Sequence, residues 1–153
     1  MDEEKILNGK IVSEKIKSEL KIEVENLKEK GIIPKLAVIM IGEDEASKVY
    51  VRNKSKACDK VGVKFEEFLL PENTEKEELF DLIEKLNQDK TVNGILLQSP
   101  VPKHLDENEA FRRIDPEKDV DGFNPVNVGN LCIRKWLLYF VYSIWNYENF
   151  RIL

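Results

Sequence analysis

The sequence predicts an α/β domain of three layers, a parallel sheet flanked by helices. Three observations carry that expectation. Residues 36–41, LAVIMI, form an unbroken apolar run, the mark of a strand buried on both faces. Two further strand-like runs, 63–70 and 92–98, follow it. Amphipathic helical patterns precede and separate all three, giving the order α-β-α-β-α-β that a parallel sheet with crossover helices requires.

The elements follow in turn. Over 10–30, Val12, Ile16, Leu20, Val24 and Leu27 make one apolar stripe among lysines and glutamates, and Gly31 ends the helix. The charged residues between them read as a solvated face. After the strand at 36–41, Gly42 turns the chain into a helix over 47–62, with Asp44 or Ser47 as its cap. There Val49, Tyr50, Asn53, Ala57, Cys58 and Val61 recur at spacings of three and four, and Gly62 follows the last turn. Pro71 closes the second strand. Thr74 and Glu77 have the spacing of a capping box, opening a helix whose Leu79, Phe80, Ile83 and Leu86 face inward. Past the third strand a short helix spans 107–114, and 115–131 reads as loop, with Pro116, Gly122, Pro125 and Gly129.

A chain of 153 residues suits one domain with a real core, and 42% hydrophobic with 35% charged residues describes an ordinary globular protein. A net charge of −5 argues against a nucleic-acid partner, which favours a basic face. Cys58 and Cys132 lie far apart in no zinc or disulfide pattern, so no metal is expected and a reducing, cytoplasmic location fits. The start, MDEEKILNGK, is acidic and lacks a signal peptide's basic and apolar stretches, and no membrane association is expected.

Ligands of parallel sheets bind outside the carboxyl ends of the strands. Two features land there: the entry to the Tyr50 helix after the first strand, and Gln98-Ser99-Pro100-Val101-Pro102 after the third. Tyr50 and Lys54, four apart, share a helix face, so a ring for stacking sits beside an amine for proton transfer. The plainer alternative is a core tyrosine and a solvated lysine. Gln98 is either an amide donor and acceptor at a pocket mouth or an ordinary polar end of a strand made rigid by two prolines. His104, the single histidine, reads as a structural hydrogen-bonder. Asp119 and Asp121 begin like a calcium loop but lack the later ligands. An unpaired carboxylate there suits the N–H edge of an amino-heterocycle; turn-forming Asx chemistry is the other reading.

Three segments, YVxxK with KAC and Gly-Val after it (50–63), GILLQSPVPKH (94–104) and KDVDGFNPVNVGNL (118–131), resemble signatures of one family. It is the bifunctional methylenetetrahydrofolate dehydrogenase/methenyltetrahydrofolate cyclohydrolase family, and the resemblance covers about residues 5–133 in the family's order and spacing. It implies one-carbon metabolism serving purine biosynthesis: oxidation of 5,10-methylenetetrahydrofolate with NADP, then hydrolysis of the methenyl product to 10-formyltetrahydrofolate. By resemblance, Tyr50 stacks on the folate, Lys54 is the general acid/base, Gln98 orients Lys54 and Asp121 grips the pterin's amino edge. Ser47 and the backbone of Pro100 and Pro102 would line the same site, and members are typically homodimers. Ser99, Val101 and Asn124 stand where other members often have Leu, Leu and His.

The family continues into a Rossmann domain for the dinucleotide. The seven glycines of this chain include no GxG pair, so that fingerprint is absent and the dehydrogenase step is expected to be lost. Residues 134–153, RKWLLYFVYSIWNYENFRIL, instead hold both tryptophans and three of the four tyrosines. Their apolar run is shorter than the about twenty residues that span a membrane. Read one nucleotide later, the codons for residues 142–153 permit TPYGIMKIL, with the glycine forced by Trp145 and Asn146. The family has a PCTPxG motif downstream of its VDGF segment. The division expected is therefore a folate-binding catalytic domain at 1–133 and an out-of-frame tail at 134–153, the alternative for the tail being a genuine amphipathic C-terminal helix. The alternative in function is a folate-binding fragment without turnover; an unrelated flavodoxin-like interaction domain would show no folate affinity.

Overall fold

The computed structural model describes residues 9–133, and the 134–153 tail read above as out-of-frame lies outside them. The elements are α1 (Gly9–Glu29), β1 (Lys35–Ile41), α2 (Glu45–Val61), β2 (Lys64–Leu70), α3 (Lys76–Gln88), β3 (Gly94–Leu97), α4 (Glu107–Arg113) and α5 (Pro125–Cys132). The three strands form one parallel sheet in the order β2-β1-β3, with Leu36 to Ile39 of β1 opposite Gly94 to Leu97 of β3. No helix among the described residues is long and apolar enough to cross a membrane.

β1 is the centre of the core. Alternate side chains of a strand point to opposite faces, so Ala37, Ile39 and Ile41 pack with Leu79, Ile83 and Leu86 of α3 and with Ala110 and Phe111 of α4. Val38 and Met40 pack the other way, with Val51 of α2 and Leu96. α1 lies against α2 on that second face. The result is the three-layer α/β domain that the LAVIMI run implies.

Several local expectations are corrected. The inward face of α2 carries Ser47, Val51 and Val61, whereas Val49 and Tyr50 are 51% and 63% exposed. Both stripes have helical spacing; the small Ser47 lets the helix approach the sheet on the 47–51 side. Asp44, rather than Ser47, caps the helix, accepting from the Ser47 N–H at 2.7 Å. The Thr74–Glu77 capping box does not form. Glu75 is the N-cap without a side-chain bond, Thr74 is buried, and its carbonyl is taken by His104 Nε2 at 2.9 Å. Residues 125–132, read as loop, are helix α5: Asn124 accepts from the Val126 N–H at 2.9 Å, with Pro125 preset at the first turn.

β3 starts two residues later than expected, at Gly94, and this glycine matters for the site. The 118–120 segment runs beside β3, with Ile95 N–H donating to Lys118 O at 2.7 Å and a parallel bridge between Ile95 and Asp119. A Cβ on Gly94 would meet Val120 Cγ1 at 2.6 Å and Leu36 Cδ1 at 3.3 Å. Gly94→Ala is therefore expected to cost about 1–3 kcal/mol by overpacking and to displace Val120. Urea unfolding checks it; an unchanged midpoint would show that the segment yields freely.

Candidate active site

At the carboxyl edge of the sheet, α2 and the loops after β3 and α4 enclose a cleft of about 370 Å³. It is lined by Tyr50, Lys54, Leu96, Leu97, Gln98, Ser99, Asp121 and Phe123. α2 reaches it because β1 ends at Ile41 and Gly42 turns the chain back at once. Tyr50 and Lys54 stand one helical turn apart, the ring exposed and the amine half-buried. Four of the residues singled out in the sequence, Tyr50, Lys54, Gln98 and Asp121, thus meet in one place.

Hydrogen bonds fix the polar groups. Gln98 Nε2 donates to Ser99 O at 2.7 Å, which leaves its Oε1 facing α2. Lys54 Nζ donates to that oxygen at 2.8 Å. Asp121 makes no hydrogen bond within the protein among the described residues, so its carboxylate is open to the cleft. Burial draws the Lys54 ammonium below the ordinary lysine range, and the Asp121 charge opposes this in part. Burial pushes the Asp121 carboxyl up; Lys54 pulls it down and Asp119 pushes it up again.

The remaining candidates fall elsewhere. Ser47 is buried under α2, and Pro100 and Pro102 follow the cleft-lining Ser99 across a cis Ser99–Pro100 peptide without lining the cleft themselves. The two readings of the DVDG carboxylates divide between them. Asp119 is turn-forming, accepting from Gly122 N–H at 3.1 Å and Asn124 N–H at 2.8 Å, while Asp121 is the unpaired one. Asn124 is also structural, donating to Ile114 O at 2.9 Å. Phe123, which the sequence reading passed over, lines the cleft and packs on Phe111 at 4.7 Å between ring centres. Its apolar ring in an otherwise polar turn was the available signal.

A wider cleft of about 480 Å³ lies at the opposite edge of the sheet, around Lys35, Lys64 and Lys90. Its Lys35 is already paired with Glu66 at 3.0 Å and Asp89 at 3.6 Å. The unpaired carboxylate and the desolvated amine are both in the first cleft. Among the described residues no group of three or more His, Cys, Asp or Glu is placed to hold a metal.

The fold is a parallel α/β domain that gathers a lysine, an amide, a carboxylate and an exposed aromatic ring at its carboxyl edge, where ligands of such sheets bind. The chain belongs to the tetrahydrofolate dehydrogenase/cyclohydrolase family, whose catalytic domain matches residues 7–121. It is 59% identical over 131 residues to the bifunctional protein FolD of Acetivibrio thermocellus, covering 86% of this chain and 46% of that protein. The crystal structure of the bifunctional FolD dehydrogenase/cyclohydrolase from Campylobacter jejuni superposes with a TM-score of 0.82 at 47% identity, over 83% of this chain and 45% of that one. The Trypanosoma brucei enzyme, crystallised with NADP cofactor and inhibitor, gives 0.80 at 38% identity, over 84% and 44%. The chain spans about half the length of the relatives it matches.

The raised Asp121 pKa has a sign that can be tested. In the unfolded chain this carboxyl ionises near its ordinary 3.8, in the folded chain only at higher pH. Between the two values the native state binds more protons, so wild-type stability falls as pH rises through that window. Asp121→Asn lacks this loss. The difference in unfolding free energy, variant minus wild type, is expected to grow in the variant's favour from acidic to neutral pH. Urea unfolding at several pH values measures it, and a constant difference would reject the raised pKa.

Proposed function

We propose that this chain binds a tetrahydrofolate derivative in the 370 Å³ cleft and catalyses hydrolysis of 5,10-methenyltetrahydrofolate to 10-formyltetrahydrofolate. The observation that carries the reading is the Lys54 Nζ to Gln98 Oε1 bond of 2.8 Å, made beside an unpaired Asp121. Tyr50 offers an exposed ring for the pterin or its neighbouring aryl group to stack on. The Asp121 carboxylate accepts two N–H bonds from the pterin's amino edge, a charge-assisted pairing stronger than a neutral one. Ser47, Pro100 and Pro102 act behind this contact surface by holding the α2 entry and the strand exit.

The chemistry needs a group that takes and returns protons near neutral pH. Water adds to the electrophilic carbon between N5 and N10, and its proton passes to the neutral Lys54 amine. The resulting hydroxyl loses its proton as the carbon–N5 bond breaks and N5 is protonated, leaving the formyl group on N10 and one proton released overall. Gln98 holds the amine in line without neutralising it. Desolvation has already shifted Lys54 toward the amine form.

Hydride transfer is expected to be absent from these 153 residues alone. A dinucleotide does not suit the α2 N-terminus, the helix start nearest the cleft-lining Tyr50. Asp44 occupies the α2 N-terminus with its own carboxylate, and Glu43 and Glu45 flank it, sharing Lys48 at 3.7 and 2.9 Å, so a pyrophosphate would meet net negative charge. NADP belongs, in this reading, to the length of the family that the chain does not span. The setting proposed is cytoplasmic one-carbon metabolism supporting purine synthesis, with homodimerisation as in the family.

The rival reading is folate binding without turnover. Lys54→Met is expected to lower hydrolysis of 5,10-methenyltetrahydrofolate at least ~100-fold, the usual worth of a positioned acid/base. Its affinity for 5-formyltetrahydrofolate should stay within a few-fold of wild type, while Asp121→Ala loses that affinity. Loss of the methenyl absorbance reports turnover. Wild type hydrolysing no faster than Lys54→Met, with binding intact, would establish the non-catalytic reading instead.

A further inference from the structure

We propose that Asp119 is a positioning residue for Asp121: its buried carboxylate ties down the 119–124 turn and fixes where the Asp121 side chain enters the cleft. The proposal rests on the reading of Asp121 as the folate-gripping carboxylate. Asp119 is 2% exposed. It accepts from Gly122 N–H at 3.1 Å, Asn124 N–H at 2.8 Å and Asn127 Nδ2 at 3.0 Å, and no cation pairs with it among the described residues.

A carboxylate buried without a cation is costly. An ordinary Asx turn needs only an acceptor, which a neutral asparagine or serine supplies more cheaply. The charge adds stronger bonds to two backbone N–H groups, those of Gly122 and Asn124, on either side of Phe123. The other end of the segment is fastened to β3, through Ile95 N–H to Lys118 O at 2.7 Å and Val120 N–H to Ile95 O at 3.4 Å. Asn127, 1% exposed, bridges Asp119 to Pro116 O at 2.9 Å, and Asn124 reaches Ile114 O at 2.9 Å. Gly122, at φ +72°, makes the reversal between the two anchors. Asp121 and Phe123 are the residues of this turn that line the cleft.

Position and charge arrive together. The titratable groups of the cleft are Tyr50 and Lys54 from α2 and Asp121 itself, while the β3 exit contributes the non-titrating Gln98 and Ser99. Asp119 lies behind Asp121 and raises its pKa further. Removing that charge should therefore extend ionised Asp121 to lower pH while loosening its placement. A merely structural residue would do only the second.

The test is equilibrium binding of 5-formyltetrahydrofolate to the full chain across acidic to neutral pH, for wild type, Asp119→Asn, Asn127→Ala and Asp121→Asn. Asp119→Asn is expected to bind about tenfold or more weakly at neutral pH, since small misplacements of a contact group carry such costs. Its acid limb should move to lower pH. Asn127→Ala, which removes one donor but keeps the charge, should weaken binding without lowering the acid limb. Wild-type affinity with an unmoved profile in Asp119→Asn overturns the proposal, as does weakening with an unmoved profile. If Asp119→Asn fails to fold, Asn127→Ala decides: weakened binding with an unchanged urea midpoint supports the proposal, and wild-type affinity, or weakening only in step with a lowered midpoint, overturns it. Undiminished binding by Asp121→Asn would refute the folate reading itself. Lost binding there beside an unaffected Asp119→Asn refutes only this inference.

Discussion

Everything in the domain depends on burying β1 on both faces. Ala37, Val38 and Ile39 are fully inaccessible and Met40 and Ile41 nearly so, and such a strand cannot leave its backbone polar groups facing an unpaired edge. It therefore takes a neighbour on each side, β2 and β3, both parallel to it. Parallel pairing obliges each connection to cross back over the sheet, and this returns every strand's carboxyl end to the same edge. Lys54 on the helix after β1 and Gln98 at the end of β3 are 44 residues apart, yet meet at 2.8 Å for this reason. The site is a consequence of the sheet's directionality before it is a matter of particular side chains.

The helices make the same point from outside. α3 and α4 cover one face, α2 with α1 the other. Among the helices of the described residues, α2 alone supplies side chains to both the core and the cleft. Its Val51 is locked against Met40 and Leu96, and that contact sets the rotation of the helix. With Val51 inward, Tyr50 is turned out to the cleft and Lys54 is held at its half-buried rim. A hydrophobic contact thus aims two residues of the candidate chemistry.

This rotation is also where sequence reasoning reached its limit. The order of elements as far as α4, the central strand and the spacing of Tyr50, Lys54, Gln98 and Asp121 were all legible, because apolar runs and helical periods are local signals. The choice between a stripe through Val49 and Tyr50 and one through Ser47 and Val51 was not, since both have helical spacing and only the sheet decides. The Thr74 cap failed similarly: its carbonyl is drawn to His104, thirty residues on. α5 hid behind Pro125 and Gly129, although Asn-Pro is itself a helix-start signal. For Asp119 and Asp121 the chemistry was legible but not its division. Which carboxylate turns inward depends on Asn124 and Asn127 folding back onto it.

The electrostatics of the cleft turn on how Lys54 is held beside Asp121. A direct ion pair would favour the ammonium and hold the lysine protonated. Here the amine is instead bonded to a neutral amide oxygen, and Asp121 acts on it only through space. Burial then dominates both groups, lowering the lysine and raising the carboxyl, each toward its neutral form. Keeping either group charged in this half-desolvated cleft is a cost to the fold. A bound folate would relieve that cost for the carboxylate, whose charge the pterin N–H edge would pair, while burial leaves Lys54 favoured as the amine that can take a proton from water. Gln98 holds the amine through a neutral oxygen, and in the proposed reading this leaves the Asp121 carboxylate to the substrate.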